Sequence, residues 1–178
     1  MPTTTYEKDK CHVLMALRDM LDLKVPKKPG VYTLVIELAS ATIINVGGLG
    51  VHSFPAGFYA YTGSAHGKGA MNLRRRIQHH LTRGKRKHWH IDYLLDSDAS
   101  KVKTAIFAET LDNVECAISK ESARLEGAEI PVKGFGSSDC RSGCKAHLCF
   151  YHGISYSELV EHLSSIYQRI GSPKKVGE

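Results

Sequence analysis

At 178 residues, with 42% hydrophobic and 24% charged side chains, the chain is sized for one packed domain with appendages and has the composition of an ordinary soluble globular protein. It lacks the ~18 consecutive apolar residues of a helical membrane span, and the first ten residues lack the apolar core of a secretory signal, so no membrane partner and a cytoplasmic location are expected. The net charge of +6 is local: no acidic residue lies between Glu37 and Asp92, while Lys68, Arg74, Arg75, Arg76, Arg83, Lys85, Arg86 and Lys87 all fall in that interval. A basic patch of this density suits a polyanion, because phosphate contacts release counterions.

In chain order, Val13, Leu14, Leu17, Met20 and Leu21 recur at helical spacing, so an amphipathic helix is expected between Thr5 and Leu23, stopped by the linker Val25–Gly30. Gly30–Leu38 alternates as a strand, with Tyr32, Leu34, Ile36 and Leu38 on one face and Thr33 and Glu37 on the other. Ala41–Val46 is a second β-branched run. After a turn at Phe54–Gly57, a third strand from Phe58 to Thr62 sends Tyr59 and Tyr61 to the same side. Neither Gly47–Gly50 nor Gly67–Gly69 has the context of a phosphate-binding loop, so no nucleotide cofactor is expected.

Asn72–Arg83 reads as a helix. On a wheel of 100° per residue Leu73, Ile77 and Leu81 form its buried stripe, Arg76, His80 and Arg83 fall within about 60° of one another along one border, and Arg75 points to solvent. His88 and His90 flank the single tryptophan, Trp89, at strand spacing, which would put both histidines on one side with Asp92. Val102–Glu109 reads as a strand and Asn113–Leu125 as a helix capped by Asp112 or Asn113, with Glu115 in the first turn, where the helix dipole favours a carboxylate. Phe135–Cys140 reads as a loop, His147–Tyr151 as a strand and Ser155–Ile170 as a helix capped by Ser155 or Ser157. The tail from Gly171 is expected to fray. The odd count of five cysteines, without regular spacing, points to thiols in a reducing compartment. Cys140, Cys144, His147 and Cys149 form the one candidate zinc knuckle, but four ligands within ten residues are cramped, so zinc is not expected.

The motifs Gly30-Val31-Tyr32 and Tyr61-Thr62-Gly63, followed by Arg76 and His80 on a helix and a later carboxylate, resemble the GIY-YIG nuclease superfamily. The longer blocks Phe54–Ala65, His88–Leu95, Glu115-Cys116 and Phe135–Cys140 resemble the branch of it that is sometimes joined to the repair enzyme endonuclease III. The resemblance covers about Gly30 to Gly153. It implies an α+β fold, with a small central mixed or antiparallel sheet flanked by helices. The chain then divides into an N-terminal helix and linker (1–28), the nuclease-like domain (29–153) and a C-terminal helix and tail (154–178).

The implied activity is metal-dependent hydrolysis of DNA phosphodiesters, in repair or recombination, with one Mg²⁺ or Mn²⁺ ion and a repair protein as a possible partner. The implied catalytic set is Tyr32 as base, Tyr61 beside it, Arg76 on the phosphate, His80 as proton relay and Glu115 as metal ligand, in competition with Glu121. Because a phenol of pKa about 10 is a poor base, Arg76 or a metal-bound water is expected to lower the value for Tyr32. Lys68, Arg74, Arg75, Arg83, Lys85, Arg86, Lys87, His88 and His90 are the expected DNA contacts. Two departures stand out: the tyrosine motifs are 29 residues apart, which makes 42–54 an insertion or extra strand, and the second motif reads Tyr-Thr-Gly. The alternatives are a nucleic-acid-binding module of the same fold without cleavage and a zinc-stabilised interaction domain.

Overall fold

The computed structural model describes residues 25–66 and 72–169, together with the backbone of residues 174–176. The helix expected between Thr5 and Leu23, and Lys68, lie outside the described residues. The fold is α+β. Its strands are β1 (Gly30–Leu38), β2 (Thr42–Asn45), β3 (Val51–Phe54), β4 (Gly57–Ser64), β5 (Ser100–Glu109), β6 (Ala128–Glu129), β7 (Leu148–Tyr151) and β8 (Lys174–Val176). Six of them form one sheet in the order β6-β7-β4-β1-β5-β8, antiparallel at every pairing, and β2 pairs with β3 as a separate hairpin. That hairpin lies between Tyr32 and Tyr61 in the chain. The backbone of residues 174–176 pairs with β5 where the sequence reading expected fraying.

Strand β1 is central because both of its faces are apolar. Tyr32, Leu34, Ile36 and Leu38 enter one core, and Val31 and Val35 enter the other. The face expected to be polar is therefore covered. Thr33 is buried there, and its hydroxyl is matched by those of Thr62 and Tyr167, each at 2.9 Å.

Among the described residues, four α-helices cover the sheet: α1 (Leu73–Leu81), α2 (His90–Leu95), α3 (Glu115–Ser122) and α4 (Tyr156–Gln168). Leu73 and Ile77 of α1 and Ile91, Leu94 and Leu95 of α2 fill the first core, while Ile118 of α3 and Leu159, Leu163, Ile166 and Tyr167 of α4 fill the second. Asn72 caps α1 by accepting from Arg75 N–H, and Ser155 with Glu158 forms a reciprocal capping box on α4. Helix α3 starts later than expected, at Glu115, with Val114 in the cap position and no side-chain cap. The run expected to be a strand around Trp89 is helical from His90, because Asp92 reaches back to the backbone N–H groups of His88 and Trp89 at 3.0 Å each. His88 and His90 consequently do not share a face.

Gly63 ends the second tyrosine motif for a steric reason. A Cβ there would stand 2.4 Å from the Tyr32 hydroxyl across the β1–β4 pairing, where Tyr32 is opposite Gly63. Gly63→Ala is expected to lower unfolding free energy by about 1–3 kcal/mol as an overpacking change, read as an earlier urea midpoint at unchanged m-value; an unchanged midpoint would show that the ring has room to shift.

Candidate functional site

Strand β1 delivers Tyr32, β4 delivers Tyr61 and Ser64, α1 delivers Arg76, and the first turn of α3 delivers Glu115 to a single cavity of about 320 Å³. Trp89, Asn113, Cys116, Gly136, Asp139, Cys140 and His147 complete much of its lining. Four of the five expected catalytic residues thus converge. The fifth, His80, is 2% exposed and stands behind Tyr32.

Behind the cavity runs a buried polar line. The Tyr32 hydroxyl is 2.7 Å from His80 Nε2, and His80 Nδ1 is 3.3 Å from Asp92 Oδ1. Burial drives the His80 pKa down to about 4, against the opposing pull of Asp92, so the imidazole is neutral at neutral pH. With the proton on Nδ1 facing Asp92, Nε2 accepts from Tyr32. Asp92 is 1% exposed; burial would raise its pKa, but His80 and the two backbone N–H groups hold it far below the ordinary carboxylate range. Lys85, at 3.2 Å, neutralises its charge, and His79 Nε2 lies 3.5 Å away. Asp92 was legible in the sequence only as a neighbour of the histidines.

Burial, reinforced by the nearby Tyr61, raises the Tyr32 phenol well above its usual value although Arg76 pulls the other way. The lowering expected from Arg76 is therefore outweighed, because the ring is 1% exposed. Burial likewise raises Tyr61. Its ring packs edge-on to His80 and Phe135, and no hydrogen bond to its hydroxyl is found among the described residues.

Two arginines line the cavity, the exposed Arg141 and the half-buried Arg76. The Arg76 guanidinium lies 4.1 Å above the Trp89 ring, and its Nε is buried without a hydrogen-bond partner. Among the described residues it has no ion-pair partner. Glu115 Oε2 accepts from Ser64 Oγ at 2.5 Å, and Oε1 lies 3.0 Å from His147 Nδ1, an ion-pair distance without straight N–H···O alignment. Burial would raise the Glu115 pKa, but His147 and Ser64 together with Arg76 keep it below its ordinary value, so the carboxylate is ionised. Glu121 lies outside the cavity and pairs with Arg124 and Arg169. Gly136, at φ +71°, lets the loop approach Tyr61 and donates its N–H to His90 Nδ1 at 3.1 Å.

The basic patch is divided in two. Lys85 is tied to Asp92, Lys87 to Asp96 at 2.6 Å and Arg83 to Asp98 at 3.3 Å, while Arg74 donates to Val25 O at 2.7 Å. Arg75, Arg86 and His88 are exposed, and so are the paired Arg83 and Lys87. His90 faces the Phe135 loop, and burial lowers its pKa.

The cysteines are arranged differently from the linear knuckle. Leu148 and Phe150 of β7 face the first core, so Cys149 faces the second, 1% exposed. Cys116, at the start of α3, takes its place. Cys116, Cys140, Cys144 and His147 bring four ligand atoms within 4.8 Å of one another, a group that could hold a metal and whose soft donors suit zinc better than Mg²⁺. The grouping of Cys116 with residues 24, 28 and 31 positions away is a tertiary contact with no local signal.

A family model described as "Domain of unknown function DUF123" matches residues 31–172. No curated protein and no solved structure matches the chain. Among the described residues, no helix is long and apolar enough to cross a membrane.

The buried imidazole has a consequence for stability. His80 titrates near 4 when folded and near ~6.5 when unfolded, so between those values the unfolded chain holds more protons and stability falls as pH drops. Unfolding free energy measured by urea should fall by up to ~3 kcal/mol from pH 6.5 to 4 relative to a His80→Gln protein; parallel profiles for the two proteins would contradict a neutral buried His80.

Proposed function

The chain belongs to the DUF123 family, whose description leaves function open, and we propose from its own cavity that it is a phosphodiester hydrolase acting on DNA with one divalent cation, of the GIY-YIG type. The observation that carries this reading is Arg76, a partly buried guanidinium without an anionic partner among the described residues, at a cavity of about 320 Å³ that also holds two tyrosines and the carboxylates of Glu115 and Asp139. A planar fork fixed by a tryptophan face suits two nonbridging phosphate oxygens.

The residues then divide the work. Arg76 holds the phosphate, and the Tyr61 phenol, kept neutral by burial, donates to one of its oxygens. Tyr32 takes the proton of the attacking water only after losing its own, and the acceptor in contact is His80 Nε2 at 2.7 Å. Asp92 stabilises the imidazolium that results, which offsets part of the cost of charging a buried ring. Glu115, with Asp139 at the same cavity, fits a Mg²⁺ or Mn²⁺ ion, since such ions are held by one or two carboxylates plus substrate phosphates. That ion would supply charge neutralisation at the leaving oxygen. Arg75, Arg86 and His88 remain outside for DNA contact, and Lys85 acts internally.

A second reading, a DNA-binding module without cleavage, is favoured by the near-complete burial of Tyr32. The two separate on mutation. Tyr32→Phe, Arg76→Ala and Glu115→Gln should each lose at least about 100-fold in Mn²⁺-dependent cleavage of branched or linear DNA. DNA affinity should stay within a few-fold for Tyr32→Phe and Glu115→Gln. If the wild-type protein binds DNA with a steep salt dependence yet never cuts it with Mg²⁺ or Mn²⁺, the binding reading replaces the hydrolase.

A further inference from the structure

We infer that Cys116, Cys140, Cys144 and His147 bind one structural zinc ion, which fastens one wall of the cavity to helix α3. The geometry supports a tetrahedral site. Zinc–sulfur and zinc–nitrogen bonds of ~2.3 and ~2.0 Å place ligand sulfurs about 3.8 Å apart and sulfur and nitrogen about 3.5 Å apart. Cys116 Sγ is 3.5 Å from Cys140 Sγ and 3.8 Å from His147 Nε2, and all four ligand atoms lie within 4.8 Å.

A second observation is independent of those distances. Residues 130–147 contain no helix or strand, and between 138 and 145 no side chain is buried. In that stretch Ser138, Asp139, Arg141, Ser142, Gly143 and Lys145 are exposed, and the two residues turned inward are Cys140 and Cys144, both toward Cys116. A segment with so little apolar area has no packing to hold it, so something else must offset the entropy of ordering it. Its other fixtures are polar: Lys120 Nζ donates to Ser142 O at 2.7 Å, Ser119 Oγ to Ala146 O at 3.0 Å, Gly134 N–H to Lys145 O at 2.8 Å and Cys140 N–H to Ser137 O at 3.1 Å.

His147 adds a third observation. It is 5% exposed, with Nε2 toward the thiols and Nδ1 3.0 Å from Glu115 Oε1. A histidine with one nitrogen on a metal and the other on a carboxylate is the usual way in which protein zinc ligands are oriented. Four protein ligands leave no open position, so this zinc is structural, and its binding displaces the protons of the three thiols. The site adjoins the Mg²⁺ or Mn²⁺ position through the contact of His147 with Glu115, and it stands whether or not the chain cleaves DNA.

The test is the metal content of the full chain purified without chelator. One zinc per chain by plasma mass spectrometry is expected, with loss of that zinc in Cys140→Ser and Cys144→Ser and its retention in Cys149→Ala, whose thiol lies in the other core. Because a ligand variant can fail to fold, zinc is also stripped from the wild-type protein with a mercurial reagent and replaced by Co²⁺. Intense d–d bands and a thiolate charge-transfer band support tetrahedral sulfur ligation, and amide exchange in residues 134–147 should quicken in the stripped protein and slow again on reloading. Zinc well below one per chain together with no Co²⁺–thiolate spectrum overturns the inference, as does a Cys116–Cys140 disulfide in protein purified under reducing conditions.

Discussion

The buried carboxylate of Asp92 is the constraint that the site depends on. A charge 1% exposed is tolerated only when it is paired and hydrogen-bonded, and here the partners come from three directions. The start of α2 offers two backbone N–H groups, α1 offers His80, and the following loop offers Lys85. Satisfying Asp92 therefore fixes α2 against α1. It also sets the tautomer of His80, which in turn orients the Tyr32 hydroxyl on β1. Two consecutive helices and a strand 48 residues upstream of His80 are locked by one anion, and the cavity opens beyond the strand.

The same anion divides the positive charge. Asp92, Asp96 and Asp98 follow directly after the basic run and take up Lys85, Lys87 and Arg83. The patch is thus less cationic in space than in sequence. What remains is a graded arrangement: Arg75 and Arg86 in solvent, and Arg76 on the face of Trp89 at the cavity, with its buried Nε unmatched. The unmatched cation next to the ionised Glu115 gives the cavity two opposite charges, a setting suited to a phosphate on one side and a cation on the other.

Much of the fold was legible where periodicity is strong. The alternation of Gly30–Leu38, the stripe Leu73, Ile77 and Leu81 with its Asn72 cap, and the Ser155/Glu158 box all encode their elements locally. The strand spacing expected for His88, His90 and Asp92 gives way to a helix because six residues are too few to show its period, and the deciding interaction is one side chain bonding back to two amides. Strands β6 and β8 have two and three residues and exist through their neighbours. The set Tyr32, Tyr61, Arg76 and Glu115 was legible through motif resemblance. Asp92, Trp89, Ser64 and the union of Cys116 with Cys140, Cys144 and His147 were not, because each acquires its role only from tertiary packing.

The central claim is that Arg76 and Glu115 share one bound phosphate and one cation. It is tested most directly by the anomalous diffraction of a crystal of the Tyr32→Phe protein grown with Mn²⁺ and a short DNA duplex. The account predicts a manganese peak at the Glu115 carboxylate and a backbone phosphate on the Arg76 guanidinium. Manganese bound elsewhere, with the DNA lying along Arg75 and Arg86 and the cavity filled only by water, would contradict it.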